Sequence, residues 1–372
     1  MSESLGGLMS RENVVRGTLL FVLCTFAGLF ISFLWGGIQD IKRVVSEMHG
    51  RLLLGTCLCM FVDWIFGALR FHIFIRKVIP EIRFRDSLRA NMATLCVSCI
   101  TPFQTGGVGH LYIYARAGVP LSAAITAGII CFISTLVTLI FFAGGITWLN
   151  LPFLPRGSAW VSLFSFLMFG LVFTGFVLLL FKPEIIFRFF HWICQTVQRR
   201  FTRLAPIVER AVLKVEELVT EHKTFATMFI RYHKGTCALS ILLTCGFFAA
   251  RIVGSYIIVR ALNGDATLWE LSIVGMLLNF VVLFAPSPGA SGVAEVVTVG
   301  LMESLIRKEL IPLFVLLTRF FTLYCGVVIG GIVIGLQLTK DLRKDQKGIV
   351  KDAMPQVKPY TVRKLSDKKG HK

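Results

Sequence analysis

The chain has 372 residues, of which 55% are hydrophobic and only 16% charged, with a net charge of +18 and a mean hydropathy of +0.75. Too few charges remain to cover a soluble protein of this length, and apolar stretches of roughly 20 residues make a polytopic helical membrane protein the fitting class. The basic excess lies mostly beside apolar runs, which assigns it to the positive-inside rule and anionic headgroups and argues against a nucleic-acid partner.

Residues 1–16 are a short polar start carrying Arg11 and Arg16. Gly17 to Ile38 is uncharged and long enough to cross a bilayer at about 1.5 Å per residue. It is too long for a secretory h-region and lacks a small-residue cleavage site, so it reads as the first span. Leu52 to Ile75 is the second, and it carries Asp63 and Arg70, which seven residues place on one helix face, with Arg70 open to a second reading as an interfacial residue next to the basic run that follows. The basic run Arg76, Lys77, Arg83, Arg85 and Arg89 marks the cytoplasmic side.

Residues 86–118 read as a re-entrant helical hairpin, with a break at Thr101-Pro102-Phe103-Gln104-Thr105-Gly106-Gly107-Val108-Gly109-His110 and Arg116 on its return limb. Leu121 to Leu149 holds the third span, opened by Pro120 at the first helical position. A loop expected outside follows, and then the fourth span, Trp160 to Phe181. The basic segment 182–235 reads as a pair of cytoplasmic amphipathic helices. Ile185 to Arg200 is the interfacial one, with Phe187, Phe190 and Trp192 beside Arg188, Arg199 and Arg200.

Thr236 to Leu262 is the fifth span and contains Arg251. A second hairpin, 268–308, breaks at Pro286-Ser287-Pro288-Gly289-Ala290-Ser291-Gly292-Val293-Ala294-Glu295. Pro312 to Leu338 is the sixth span, with Arg319 inside it. The expected fold is thus an all-α polytopic membrane protein of about six transmembrane helices plus two re-entrant hairpins in an inverted repeat. Its parts are 1–150, 151–338 and a basic cytoplasmic tail, 339–372, and charge bias places both termini in the cytoplasm of a cell-membrane protein.

The two breaks carry the functional expectation. Prolines and glycines interrupt helices where lipid tolerates no unpaired backbone, so each break is either buried in protein or lines a wet cavity. Setting Gly107-Val108-Gly109-His110 over Gly292-Val293-Ala294-Glu295 gives a constant offset of about 185 residues. Paired interruptions in matching halves point to a transporter's binding site, and broken helix ends offer amides to phosphate or carboxylate. Gly106, Gly107, Gly289 and Gly292 either admit a ligand to the backbone or allow tight helix packing, with Gln104, Thr105, Ser287 and Ser291 as neighbouring polar groups. Glu295 either lines a cavity or caps its own helix. Arg251 and Arg319 sit deep in apolar runs and need partners; Asp63, Glu295 or a lipid phosphate are the candidates.

The ten cysteines read as membrane packing, including the formal C-x-x-C of Cys96 and Cys99, which lies in an apolar segment without a second pair. No metal site, cofactor site, Walker loop, hydrolase elbow or zinc-protease signature appears in the sequence.

The first motif, Thr101 to Gly107 running into Tyr112 and Arg116-Ala117-Gly118-Val119, resembles that of the lysylphosphatidylglycerol synthase transmembrane family, also called flippase-like or uncharacterised family 0104. The second, Pro286 to Glu295 followed by Thr318-Arg319-Phe320, resembles that family's second motif. The resemblance covers about residues 12 to 340. The resemblance implies a lipid-handling membrane protein similar to the flippase portion of the multiple peptide resistance factor. No aminoacyl-transferase domain follows the sixth span, so lipid lysylation is not expected. Many members place an acidic-basic pair where this chain has Cys131-Phe132-Ile133-Ser134, which shifts the expected site towards Arg319 and Glu295.

Three readings remain open. The first is a lipid transporter or flippase holding an anionic or phosphate-bearing headgroup between the hairpins. The second is a membrane enzyme, or an enzyme's partner, acting on a lipid-linked sugar or phosphate. The third is a non-transporting scaffold whose 182–235 segment recruits a cytoplasmic partner or a second copy.

Overall fold

The computed structural model describes residues 11–37, 41–101, 106–149, 158–200 and 205–346, and every regular element among them is helical. The first half runs α1 (Arg11–Gly36), a short α2 (Ile41–Glu47), α3 (Leu53–Val78), α4 (Phe84–Ile100), α5 (Gly107–Arg116) and α6 (Leu121–Leu149). Next come α7 (Ser158–Phe181) and an amphipathic pair, α8 (Pro183–Arg200) and α9 (Ala205–Thr227). The remainder is α10 (Lys234–Ala261), α11 (Leu268–Phe284), α12 (Val293–Met302), α13 (Ile311–Arg319), a π-helical turn (Phe320–Tyr324) and α14 (Cys325–Gln346).

Five stretches among the described residues are long and apolar enough to cross a bilayer: Val15–Gly36, Gly50–Val78, Leu121–Phe142, Lys234–Ala261 and Lys308–Asp341. These are five of the six expected spans. The sixth, expected at Trp160 to Phe181, is the 24-residue α7, whose described apolar portion Phe166–Phe181 is shorter than a full crossing. Large apolar side chains such as Leu19, Phe26, Phe30, Leu54, Leu58 and Phe141 face outwards, as lipid-facing surface requires and water would not permit.

Each expected break separates a long limb from a short one. The 17-residue α4 is followed by the 10-residue α5, and the 17-residue α11 by the 10-residue α12. Both α4 and α11 follow a long span, α3 or α10. The antiparallel packing of α3 on α10 organises the centre. Small residues let the two backbones close up: a side chain added at Gly55 would meet Ile257, one at Gly246 would meet Phe66, and one at Gly254 would meet Cys59.

Away from the centre, polar clasps fix the elements. Tyr112 donates to Asp341 Oδ2 at 2.6 Å and Arg116 pairs with the same carboxylate at 3.0 Å, tying α5 to the end of α14. The α9 helix docks on the start of α6 through Ser122, which donates to Glu221 at 2.5 Å, and through Thr126 and His222 at 2.7 Å. Burial holds the His222 imidazole below its ordinary range.

Candidate functional site

Two buried arginine–carboxylate pairs define the centre of the molecule. Arg251 Nε on α10 donates to Asp63 Oδ1 on α3 at 2.8 Å. Asp63 lies near the middle of its span and is only 4% exposed. The spacing of Asp63 and Arg70 explains the pairing. Seven residues put both on the face turned to α10, and the antiparallel partners Arg251 and Thr244 are also seven apart. Arg70 accordingly donates to Thr244 at 3.4 Å, and to Thr135 of α6 at 3.0 Å. Phe247 receives both cations, with Arg251 at 4.2 Å and Arg70 at 4.8 Å from the ring centroid.

The second pair joins Arg319 Nε, at the end of α13, to Glu295 Oε1 at 2.9 Å. That contact is a close approach of charges rather than an aligned hydrogen bond, since Oε1 meets no donor in hydrogen-bond geometry. The other oxygen, Oε2, accepts from the Gly292 backbone N–H at 2.6 Å, so Glu295 caps its own helix. Arg319 also donates to the Ala290 carbonyl at 3.3 Å. The π turn begins immediately after it, the kind of local register change that clusters at functional sites.

The break from Pro288 to Gly292 is held in a tight, buried turn by Gly289 at φ +61°, Ala290 at φ +54° and Gly292 at φ +82°. Helix α1 seals it from outside. Thr25 donates to Ser291 Oγ at 3.0 Å. A side chain at Gly28 would come within 3.0 Å of both Glu295 Cβ and Gly292 Cα. The expectation that this break offers free helix-end amides is therefore corrected at Gly292: its N–H is already taken by Glu295.

Of these four charged residues, only the two arginines line the larger open space. A cavity of about 110 Å³ lies between α10, α11 and the 318–322 stretch, and its charged lining residues are Arg251 and Arg319, joined by Ser255, Asn279, Thr318 and Thr322. Glu295 stands behind Arg319, wholly buried, and does not line it. A second pocket of about 20 Å³, room for about one water, continues past Arg251, Ser255, Thr318 and Thr322 to Asp63 and Thr56. The hydroxyls of Thr56 and Thr318 are buried and meet no hydrogen-bond partner among the described residues. Such orphaned donors on a polar cavity are natural partners for a ligand or for water.

Residues 15–330 match the family described as "Lysylphosphatidylglycerol synthase TM region". The chain belongs to this family. It is also similar to a protein described as a "UPF0104 membrane protein" from Archaeoglobus fulgidus, with 22% identity over 335 residues, covering 87% of this chain and 97% of that one. Both breaks, both ion pairs and the cavity fall inside the stretch shared with the lysylphosphatidylglycerol synthase TM family.

The expected site residues thus divide. Asp63, Arg251, Glu295 and Arg319 come together as two pairs, with Ser291 and Gly292 beside the second. Gly289 packs against Phe21 and the Cys99 backbone. Gly106 is pressed against Ser98 and Thr94, where a Cβ would lie 1.9 Å from the Ser98 hydroxyl, so it serves close packing of α5 on α4. Gly107 faces open space, away from the cavity, and Ser287 has a buried hydroxyl without a partner among the described residues. Gln104 and Thr105 lie outside the described residues. Sequence reasoning passed over Ser255, Thr318, Thr322 and Thr56 as cavity groups; hydroxyl residues on apolar helices usually satisfy their own backbone, and nothing local distinguishes these four.

Proposed function

We propose that this protein binds the anionic, phosphate-bearing headgroup of a membrane lipid in the cavity flanked by Arg251 and Arg319, and carries that lipid across the bilayer while its acyl chains stay in lipid. The observation that carries the reading is orientation. Each guanidinium is anchored by a carboxylate, yet only the cations line the larger cavity. A preformed pair of fixed, cavity-facing guanidiniums suits a phosphate, whose oxygens accept forked N–H groups. The unsatisfied Thr318 hydroxyl adds a donor on the same wall.

The matched limb lengths around the two breaks support the finer topology: two re-entrant hairpins, 84–116 and 268–302, in halves of opposite orientation. On this reading both termini are cytoplasmic, beside the basic flank Arg76 to Arg89. The membership in a lysylphosphatidylglycerol synthase TM family supports lipid as the handled molecule.

The test is reconstitution into vesicles with a fluorescent anionic phospholipid, followed by quenching of the outer leaflet, together with native mass spectrometry of lipids retained by the gently extracted protein. Wild type is expected to retain an enriched anionic lipid and speed its exchange between leaflets, and Arg319→Ala to lose both. Vesicles in which neither protein moves lipid, with no lipid enriched on wild type, would end this reading.

A further inference from the structure

Counting charge in the membrane interior gives an imbalance that the two ion pairs leave untouched. The carboxylates, arginines and lysines deep within the described apolar segments are Asp63, Arg70, Arg251, Glu295 and Arg319, three cations against two anions. Asp63 and Glu295 are committed to Arg251 and Arg319. Among the described residues no carboxylate lies within ion-pair distance of Arg70. Its partners are the hydroxyls of Thr135 and Thr244, and its Nε is buried without an acceptor. Arg70 lies six residues before Arg76, about 9 Å along the axis at 1.5 Å per residue, and its side chain turns into the bundle, onto Thr135, Thr244 and Phe247.

This third cation is coupled to the cavity. Arg251, which lines it, and Arg70 lie 4.2 and 4.8 Å from the same Phe247 centroid, so the two guanidinium carbons are no more than about 9 Å apart. In a water-poor interior a charge at that range is felt strongly. A ligand with one negative charge makes the interior neutral when loaded. A dianion leaves a net negative charge in the membrane, and uncompensated charge there is costly.

We propose that the lipid taken by this site presents a single negative charge, as a phosphodiester does, and that Arg70 sets this limit without touching the ligand. The inference rests on the lipid-binding reading above and narrows it to a substrate class.

The experiment measures binding of three short-chain lipids to the purified full chain in mild detergent: phosphatidylglycerol, a diester; phosphatidic acid, a monoester; and uncharged diacylglycerol. Measurements are made at about pH 8, where a phosphomonoester carries nearly two charges. Wild type is expected to prefer phosphatidylglycerol over phosphatidic acid and to bind diacylglycerol least. Arg70→Gln should lose about tenfold in phosphatidylglycerol affinity, the effect of one charge at about 12 Å with an effective dielectric constant of ~20. Its diacylglycerol binding should stay unchanged, and Arg70→Lys should restore the loss. A merely structural role for Arg70 would weaken all three lipids alike.

Equal phosphatidylglycerol binding by wild type and a folded Arg70→Gln protein would overturn the proposal, and so would phosphatidic acid binding as tightly as phosphatidylglycerol at that pH. If Arg70→Gln does not fold, Arg70→Lys and the wild-type diester-to-monoester ratio decide the matter. Should Arg319→Ala abolish phosphatidylglycerol binding while wild type shows no diester preference, lipid binding survives and this inference alone fails. No binding of any anionic lipid by wild type would remove both.

Discussion

Replacing Glu295 by Gln isolates the worth of the second ion pair. The carboxamide would still offer an oxygen to the Gly292 N–H, now 2.6 Å from the carboxylate, so the helix cap is retained. The charge opposite Arg319 is lost. The Arg319 side chain is only 12% exposed, and its remaining bond is to the Ala290 carbonyl at 3.3 Å. Removing one partner of a buried pair costs roughly 3–5 kcal/mol, and the adjoining cavity, which lets water reach the guanidinium, puts the expectation near 3 kcal/mol. Arg319→Met removes the other charge and leaves the Glu295 carboxylate buried and unpaired, which is also destabilising. With both changed, no charge of this pair remains, and stability should return to within about 1 kcal/mol of wild type. The assay is a double-mutant cycle of unfolding in mild detergent, followed by tryptophan fluorescence. A loss below about 1 kcal/mol in Glu295→Gln, or a double mutant as unstable as the two single effects combined, would refute the reasoning.

Three further outcomes follow from the packing. A Cβ at Gly330 would stand 2.1 Å from the Met92 carbonyl, whereas one at Gly331 would meet only the Cys96 sulfur at 3.9 Å; Gly330→Ala should therefore cost about 1–3 kcal/mol in detergent unfolding and Gly331→Ala almost nothing. Because burial lowers the His222 pKa, the unfolded segment binds a proton first as pH falls, so the contribution of docked α9 is complete above about pH 6.5 and declines below it. Protection factors across Ala205–Thr227, corrected for the slower intrinsic exchange at low pH, should fall below that pH in wild type and stay flat in His222→Gln. Asp341→Asn removes the charge shared by Tyr112 and Arg116, so limited trypsin should cut after Arg116 several-fold faster, with cutting at other sites unchanged.

The physics that made the spans legible also made the ion pairs legible. An arginine in an apolar run is too expensive to stand alone, and only Asp63 and Glu295 were at hand as deep acids, so Arg251 and Arg319 had few partners to find. Which arginine takes which acid depends on helix neighbours, and one chain's periodicity does not contain that. It was decided by α3 and α10 lying antiparallel, so that equal seven-residue spacings face each other. The glycines stayed open between ligand access and close packing for a related reason. Gly106 and Gly292 are both small residues at breaks, and only the neighbouring helix shows that Gly106 fits against Ser98 while Gly292 turns its N–H to Glu295. The cavity is legible least of all, because Ser255, Thr318 and Thr322 come from two separated stretches and acquire meaning only where those stretches part.

The sealed break changes which groups are available to recognise an anion. With the Gly292 amide committed, Arg319 is the charged group at this end that lines the cavity, and it performs two tasks at once: Nε meets Glu295 while another nitrogen holds the Ala290 carbonyl. A planar fork holds those contacts with further N–H groups left over, whereas an ammonium is a single point on a flexible stem. Arg319→Lys keeps the charge and removes the geometry. If recognition were a matter of charge alone, the Arg319→Lys protein would bind phosphatidylglycerol like wild type. On the fork argument it stays folded, because Glu295 keeps a cation, yet loses at least tenfold in affinity, the equivalent of about 1.4 kcal/mol. Thermal unfolding and lipid titration on the same preparation separate the two, and unchanged affinity in a stable Arg319→Lys protein would return the recognition to simple electrostatics.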